Sequence, residues 1–476
     1  MIAAIAVGAA WRLGVLAVDK WHQQILLNDS VYYTAQAQQL AHGTWFREIF
    51  VDQPGAEHGP LTSFLLASVS WLDDPIAWQR LVTTLFGIGT IVAIAALGKA
   101  IGGARLAAVA AWIAAIYPNL WMNDGLVMSE SLSMLLVTLT LLFARPLLID
   151  RDRAAAPPRW RAPALLGLAA GAAALARSEL IVVVAALVVL VAVAMPAVRG
   201  VRLRAAAIVL AASLALMAPW VVFNLVRFER PVFLTTNDGT TLLGSYCDAS
   251  FHGPGAGGWN IGCVTNDPEY RVDEEPSVRS SRQRSIALSY ARAHAGELPR
   301  VIGARIGRTL DLYGLRDLVA QDVGEERYRW ASWAGIVSWW ALAPCAAIGL
   351  WRMDRRWRRL LLLPVGSVLL TTVVFYGGHR IRSSLEPVAI VAAAALVARI
   401  LEHRSGKHEH DDEHAGVVEV LEVTGPRGVD EEAAGELASQ HEQPEDGGQR
   451  GGGPADPTSA VQHDRDRGEA STHDGP

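Results

Sequence analysis

The sequence predicts an all-α polytopic membrane protein of about ten spans, with a small mixed region on the outer face and a C-terminal tail that has no fold of its own. Three observations predict it. The 476 residues are 51% hydrophobic and only 19% charged, with 16 Trp. Runs such as 181–195 and 205–223 carry no charge over roughly the length needed to cross a ~30 Å hydrocarbon core. Several short loops between such runs are basic, at Lys99 to Arg105, Arg145 to Arg161, Arg199 to Arg204 and Arg352 to Arg359.

Lys and Arg flanking a span resist translocation, so these four loops are expected on the cytoplasmic side of the membrane. That requirement threads the chain through spans at 2–18, 80–98, 106–121, 131–148, 163–177, 180–195, 205–223, 331–350, 360–376 and 385–401, with both ends inside. The opening stretch resembles a signal peptide in hydropathy. It lacks a basic start, ends in Val18-Asp19-Lys20 without a small-residue cleavage site, and is expected to be retained as the first span. Pro60 to Leu72 is apolar but, at about 1.5 Å per residue, too short to cross. It is expected as a juxtamembrane or re-entrant helix within a first outer loop, 19–79, and re-entrant backbone requires protein or a wet cavity over its polar groups.

A second outer loop covers 224–330. Its Gly, Asn and Thr content, as in Thr235-Thr236-Asn237-Asp238-Gly239, reads as strands and turns, and its Arg-studded part from Ser277 to Leu315 as amphipathic helices on the membrane surface. Cys247 and Cys263 share this loop and are expected to close a disulfide in an oxidising compartment, with two free thiols as the alternative. The domain proper is thus 1–401. Residues 402–476 are rich in Gly, Pro, Asp, Glu and His and too poor in apolar side chains to fold alone, so a disordered cytoplasmic tail is expected. The net charge of −5 gives no reason to expect a nucleic-acid partner.

Threaded this way, the outer lip collects Asp29, Tyr32, Tyr33, Glu57, His58, Asp124, Glu130, Arg177, Glu179, Asn224, Arg227, His379, Arg380 and Arg382. A transporter would place ionisable groups near mid-bilayer, often in two matching halves, and no internal repeat is visible. An enzyme acting on a membrane-anchored substrate concentrates them at one lip. Plainer roles stand beside each. Asp29 adjoins an Asn or Ser able to cap the helix 31–40, Asp124 and Glu130 suit the start of a span, Arg177 with Glu179 suits a hairpin tip, and Arg380 with Arg382 suits interfacial anchoring.

The order and spacing of several motifs resemble the bacterial polyprenyl-phosphate-sugar glycosyltransferases of the GT-C fold, related to protein O-mannosyltransferases and lipid A aminoarabinose transferases. These are Asp29-Ser30-Val31-Tyr32-Tyr33, His58-Gly59-Pro60-Leu61, Met128-Ser129-Glu130-Ser131-Leu132, Ala176-Arg177-Ser178-Glu179, Pro219-Trp220 through Asn224 and Arg227, and Tyr376-Gly377-Gly378-His379-Arg380-Ile381-Arg382 before Glu386-Pro387. The resemblance implies a GT-C-like bundle that transfers a sugar, with inversion, from a polyprenyl phosphate to an envelope acceptor (lipid, polysaccharide or protein) at the outer face of the plasma membrane. It makes Asp29 the general base and Glu130 and Asp124 further carboxylates of the site. Tyr32, Tyr33, His58, Arg177, Glu179, Asn224, Arg227, Arg380 and Arg382 become substrate-binding candidates, the cations for the departing phosphate. His58-Gly59-Pro60 stands where the family often has Lys-Pro-Pro. With no Asp-x-Asp pair, no metal or other cofactor is expected. The alternatives are a transporter or flippase of a lipid-linked saccharide and a non-catalytic membrane scaffold.

Overall fold

The computed structural model describes residues 1–402 except 27, 151–159 and 270. The chain separates into units Met1–Gly406 and Lys407–Pro476, and every described residue lies in the first. The tail, its histidines and most of the loop after Arg145 therefore lie outside the described residues.

In chain order the helices are α1 (Ile2–Val15, continued to Lys20 by a wider turn), α2 (Asp29–Ala41), α3 (Pro60–Ala67), α4 (Pro75–Ile116), α5 (Pro118–Trp121), α6 (Glu130–Leu148), α7 (Arg161–Ala176), α8 (Ile181–Ala194) and α9 (Arg199–Arg227). The segment expected on the outer side follows, with α10 (Asn237–Ser245), α11 (Asp248–Phe251), α12 (Gly262–Thr265), α13 (Pro276–Ala293), α14 (Leu298–Thr309) and α15 (Leu315–Gly324). The chain then returns through α16 (Arg329–Arg352), α17 (Arg355–Val374) and α18 (His379–Glu402).

Among the described residues, seven helices are long and apolar enough to cross a membrane, and α7 and α8 are shorter apolar helices. The longest, α4, is two arms: Gly102 and Gly103 leave helical angles, Gly103 at φ +76°, a conformation glycine adopts without steric cost. The arms fold back on each other, so Ala4 of α1 meets both Ala95 and Ala111. Counting the arms separately and including α7 and α8 gives ten crossings. Small residues let these helices approach closely, as lipid-embedded packing requires. A Cβ on Gly8 would fall 2.7 Å from Ile91, and Ser213 of α9 donates to the Gly167 carbonyl of α7 at 2.8 Å.

All helix-to-helix connections that carry lip residues (21–74, 117–129, 177–180, 228–328 and 375–378) emerge at one end of this alternation, and the basic turns at the other. The outer segment differs from expectation. Among the described residues it has no strand: Asn237 to Gly239 opens α10, and an isolated β-bridge joins Arg47 and Pro54 in the first loop. Its Arg-rich helices also turn charged side chains into the protein. Arg305 of α14 is buried, and its guanidinium donates to the carbonyls of Val373 and Ser245 at 2.7 and 2.9 Å, pinning the segment to the end of α17. Cys247 and Cys263 are joined by a disulfide.

The loop between α14 and α16 is fastened to the bundle by buried ion pairs, because a charge removed from water persists only when paired. Arg80 meets Glu326 at 2.7 Å, His379 lies between Asp311 and Asp322, and Arg382 between Asp311 and Glu386, while Arg327 and Asp322 pair within the loop itself at 3.3 Å.

Candidate active site

Asp29 opens α2, yet the cap of that helix is its neighbour: Asn28 accepts from the Ser30 amide at 2.8 Å. The Asp29 carboxylate is thereby left to face inward, where Arg380 donates to it at 2.6 Å and His58 Nε2 stands 3.7 Å away. Burial alone would raise the Asp29 pKa, but the charges of Arg380 and His58 outweigh it and hold the carboxyl well below its ordinary range. His58 responds in kind. Burial disfavours its charged form, the carboxylates of Asp29 and Glu57 together outweigh it, and its pKa lies above the usual value.

The paired tyrosines shape this corner. The Tyr33 ring stacks on His58 with centroids 4.9 Å apart, and Tyr32 meets it edge-on at 5.1 Å while its hydroxyl accepts from the Glu57 amide at 2.8 Å. Gly59 has a sequence-level reason too. A Cβ there would overlap the Leu175 carbonyl at the end of α7, so the loop can approach α7 only with glycine at this position.

Arg380, at the start of α18, also donates to Glu130 at 2.8 Å and lies 3.4 Å from Glu325. Arg177, in the short break between α7 and α8, donates to Glu179 at 2.6 Å. Its Nη1 is 3.1 Å from the same Glu130 oxygen but off hydrogen-bonding geometry, which leaves a buried N–H without an acceptor among the described residues. Glu130 is a buried bridge behind two guanidinium groups, with its second oxygen unpartnered.

These groups enclose the polar end of a cavity of about 410 Å³. Asp29, Tyr33, Glu57, His58, Arg177, Glu179 and Arg380 line that end, and Asn237, Asp238 and Thr241 of α10 close one side. Much of the remaining wall is apolar, with Ile181 and Val182 at the start of α8 and Leu370, Val374 and Phe375 at the end of α17, beside Thr371 and Tyr376. Among the described residues, no group of three or more His, Cys, Asp and Glu side chains is placed to hold a metal ion.

Several expected site residues lie elsewhere. Asp124 is buried away from the cavity, taken by Arg12 at 2.6 Å and by the Ser131 hydroxyl at 2.6 Å, in a space that Gly87 of α4 leaves open. Arg382 is fully buried, donates to Glu386, Asp311 and the Thr309 carbonyl at 2.7, 2.7 and 2.9 Å, keeps one Nη2 without an acceptor among the described residues, and does not line the cavity. Arg227 spends its donors on the carbonyls of Phe46 and Gly55 and on Asn224, which is itself buried. Arg227 thus fastens the first loop to α9, with Asn224 holding its guanidinium in place. Tyr32 supports the site through Glu57 without lining it. Glu325 was not among the expected residues, and nothing in its local sequence sets it apart from other loop carboxylates.

No family model and no curated protein sequence matches the chain. Among solved structures it is similar to the oligosaccharyltransferase AglB from Archaeoglobus fulgidus, in complex with an inhibitory peptide and a dolichol-phosphate (TM-score 0.49, 13% identity, 92% of this chain and 53% of that one). It is also similar to ArnT from Cupriavidus metallidurans bound to undecaprenyl phosphate (TM-score 0.42, 16% identity, 83% of this chain and 78% of that one). The chain spans about half the length of the archaeal enzyme.

Proposed function

We propose that this chain is a glycosyltransferase that moves a sugar from a polyprenyl-phosphate donor to an acceptor nucleophile. The observation that carries the reading is the two-sided cavity, in which Arg177 and Arg380 stand at one end and the ends of α8 and α17 supply an apolar wall. A soluble substrate has no use for such a wall, and a wholly apolar ligand has none for two buried guanidinium groups. A phosphate esterified to a hydrocarbon chain uses both.

In this reading the donor phosphate lies against Arg177, which lines the cavity and has an N–H without an acceptor, and Arg380, which exchanges part of its carboxylate contacts for phosphate oxygens. The polyprenyl chain leaves along Ile181, Val182, Leu370 and Val374, and the sugar occupies the space between His58 and α10. The nucleophile attacks the anomeric carbon from the face opposite the phosphate, so the configuration inverts. The leaving electron pair goes to the bridging phosphate oxygen, which the guanidinium groups and a protonated His58 stabilise as charge develops. A cavity carboxylate takes the nucleophile's proton.

The opposite end of the bundle carries Lys99, Arg105, Arg199, Arg202, Arg204 and the run Arg355 to Arg359, which favours a cytoplasmic assignment for that end and an outward-facing cavity in the plasma membrane. Cysteine labelling from either side of intact cells tests the orientation: residues 228–328 react from outside, and labelling of that segment only after permeabilisation would reverse it. For the reaction, purified protein in nanodiscs is given a panel of undecaprenyl- and decaprenyl-phosphate sugars with envelope extract as acceptor. Free polyprenyl phosphate is the expected product, and an intact donor across the whole panel contradicts the proposal.

A further inference from the structure

The general base expected from the sequence, Asp29, enters the cavity already committed, with Arg380 2.6 Å from one oxygen and His58 beside it. Glu57 lines the same cavity differently. Its backbone is held on every side: its own amide by Tyr32, the carbonyl of Ala56 by the Thr236 amide at 2.8 Å, and the carbonyl of Gly55 by Arg227 at 2.6 Å. Its carboxylate, by contrast, makes no hydrogen bond and no ion pair among the described residues, and it opens onto the cavity. A side chain fixed at its base and unspent at its tip has the geometry a proton acceptor needs.

We propose that Glu57, rather than Asp29, takes the proton of the attacking group, and that Asp29 is a positioning residue that holds Arg380 and His58. The proposal rests on the glycosyl-transfer reading above. In the step, the acceptor O–H bond breaks and its proton passes to a Glu57 oxygen while that acceptor oxygen bonds the anomeric carbon. The bond from that carbon to the phosphate oxygen breaks, and its electron pair leaves with the polyprenyl phosphate. Glu57 afterwards releases the proton to water.

The surroundings agree with this division of labour. Around Glu57 stand Asp29 on α2, His58 beside it, Arg279 on α13, the Tyr32 phenol and Glu48 in its own loop. Burial, aided by the Asp29 charge, raises the Glu57 pKa against the opposing pull of His58 and Arg279. Burial and then Glu57 push Glu48 up to about 7. Glu57 therefore carries a higher proton affinity than Asp29, and efficient proton acceptance follows that affinity.

Two measurements decide it. Dicyclohexylcarbodiimide, which adds to protonated carboxyl groups, is applied to the full-length protein in nanodiscs near pH 5.5, and adducts are read by peptide fragmentation. The proposal expects an adduct on Glu57 at several times the yield on Asp29, and the reverse ratio overturns it. In the donor assay, transfer by the unaltered protein is present at high pH and falls as pH drops through the raised Glu57 pKa, so the acid limb lies above the ordinary glutamate value of about 4.3. Glu57→Gln lowers turnover ~100-fold or more with polyprenyl-phosphate binding retained, and Glu57→Asp recovers part of it. Asp29→Asn weakens turnover and phosphate binding together but keeps the acid limb. Unchanged turnover in folded Glu57→Gln overturns the base assignment alone, whereas no turnover by the unaltered protein with any donor removes the reaction and this inference with it.

Discussion

Arg382→Ala separates the sequence expectation from the structure most sharply, because the two assign Arg382 opposite jobs. As a phosphate clamp, its loss would weaken donor binding and leave the fold intact. In the structure its guanidinium is buried between Asp311 and Glu386, donates to the Thr309 carbonyl and lies 4.2 Å from the centre of the Trp339 ring. Truncation strands two buried carboxylates. Breaking a buried pair by removing one partner costs about 3–5 kcal/mol. Asp311 keeps His379 at 2.7 Å and Glu386 keeps the Tyr117 hydroxyl at 2.9 Å, which places the expected cost near the lower end of that range. Thermal unfolding in nanodiscs, followed by tryptophan fluorescence, should fall by roughly 5 °C or more. Binding of undecaprenyl phosphate by the fraction that remains folded should stay within about threefold of the unaltered protein, a difference of under 1 kcal/mol. Unchanged stability with tenfold weaker binding would refute the structural assignment and restore the clamp.

Other variants probe neighbouring claims. Asp124→Asn should destabilise the protein by ~1–3 kcal/mol in chemical unfolding, since Arg12 keeps a weaker neutral acceptor, while turnover of folded protein stays within threefold. Replacing Cys247 and Cys263 together with Ser opens a loop with a separation of 16 residues and should cost roughly 3 kcal/mol in the chain-entropy model, seen as faster limited proteolysis of the outer segment. Stability should also report the His58–Asp29 contact. The His58 pKa is raised in the folded state, so the stabilisation is complete below about 6.5 and is lost as pH rises through the raised value. Unfolding of Asp29→Asn should lack that decline.

Much of the membrane architecture was legible because it follows from long-range composition. Uncharged runs marked the spans, and the basic turn around Gly102 and Gly103 marked the fold-back within what is formally one helix. The outer segment was misread because Gly, Thr and Asn serve short helices and tight turns as readily as strands, and tertiary contacts such as Gly239 against Ser280 decide between them. Within the site, Arg380 and Arg382 are two positions apart and alike in sequence. One faces the cavity and the other the packed interior, a distinction set by the direction of the first turn of α18 and invisible to spacing. One signal was available and unused: Arg12 is a single charge within an apolar span and so requires a partner, and Asp124 is that partner. Asp29 stood out through its motif, whereas Glu57, one residue before His58, gains its distinction only from what surrounds its carboxylate.

The central claim is that the cavity cleaves the bond between a sugar and a lipid phosphate. It is tested most directly by incubating the purified chain in nanodiscs with donors labelled in both sugar and phosphate, together with envelope extract. The account predicts that the labels separate, with sugar on an acceptor at inverted anomeric configuration and label left as free polyprenyl phosphate, and that Arg177→Ala and Arg380→Ala abolish the separation. Donor that crosses the bilayer of sealed vesicles with both labels still joined would contradict it.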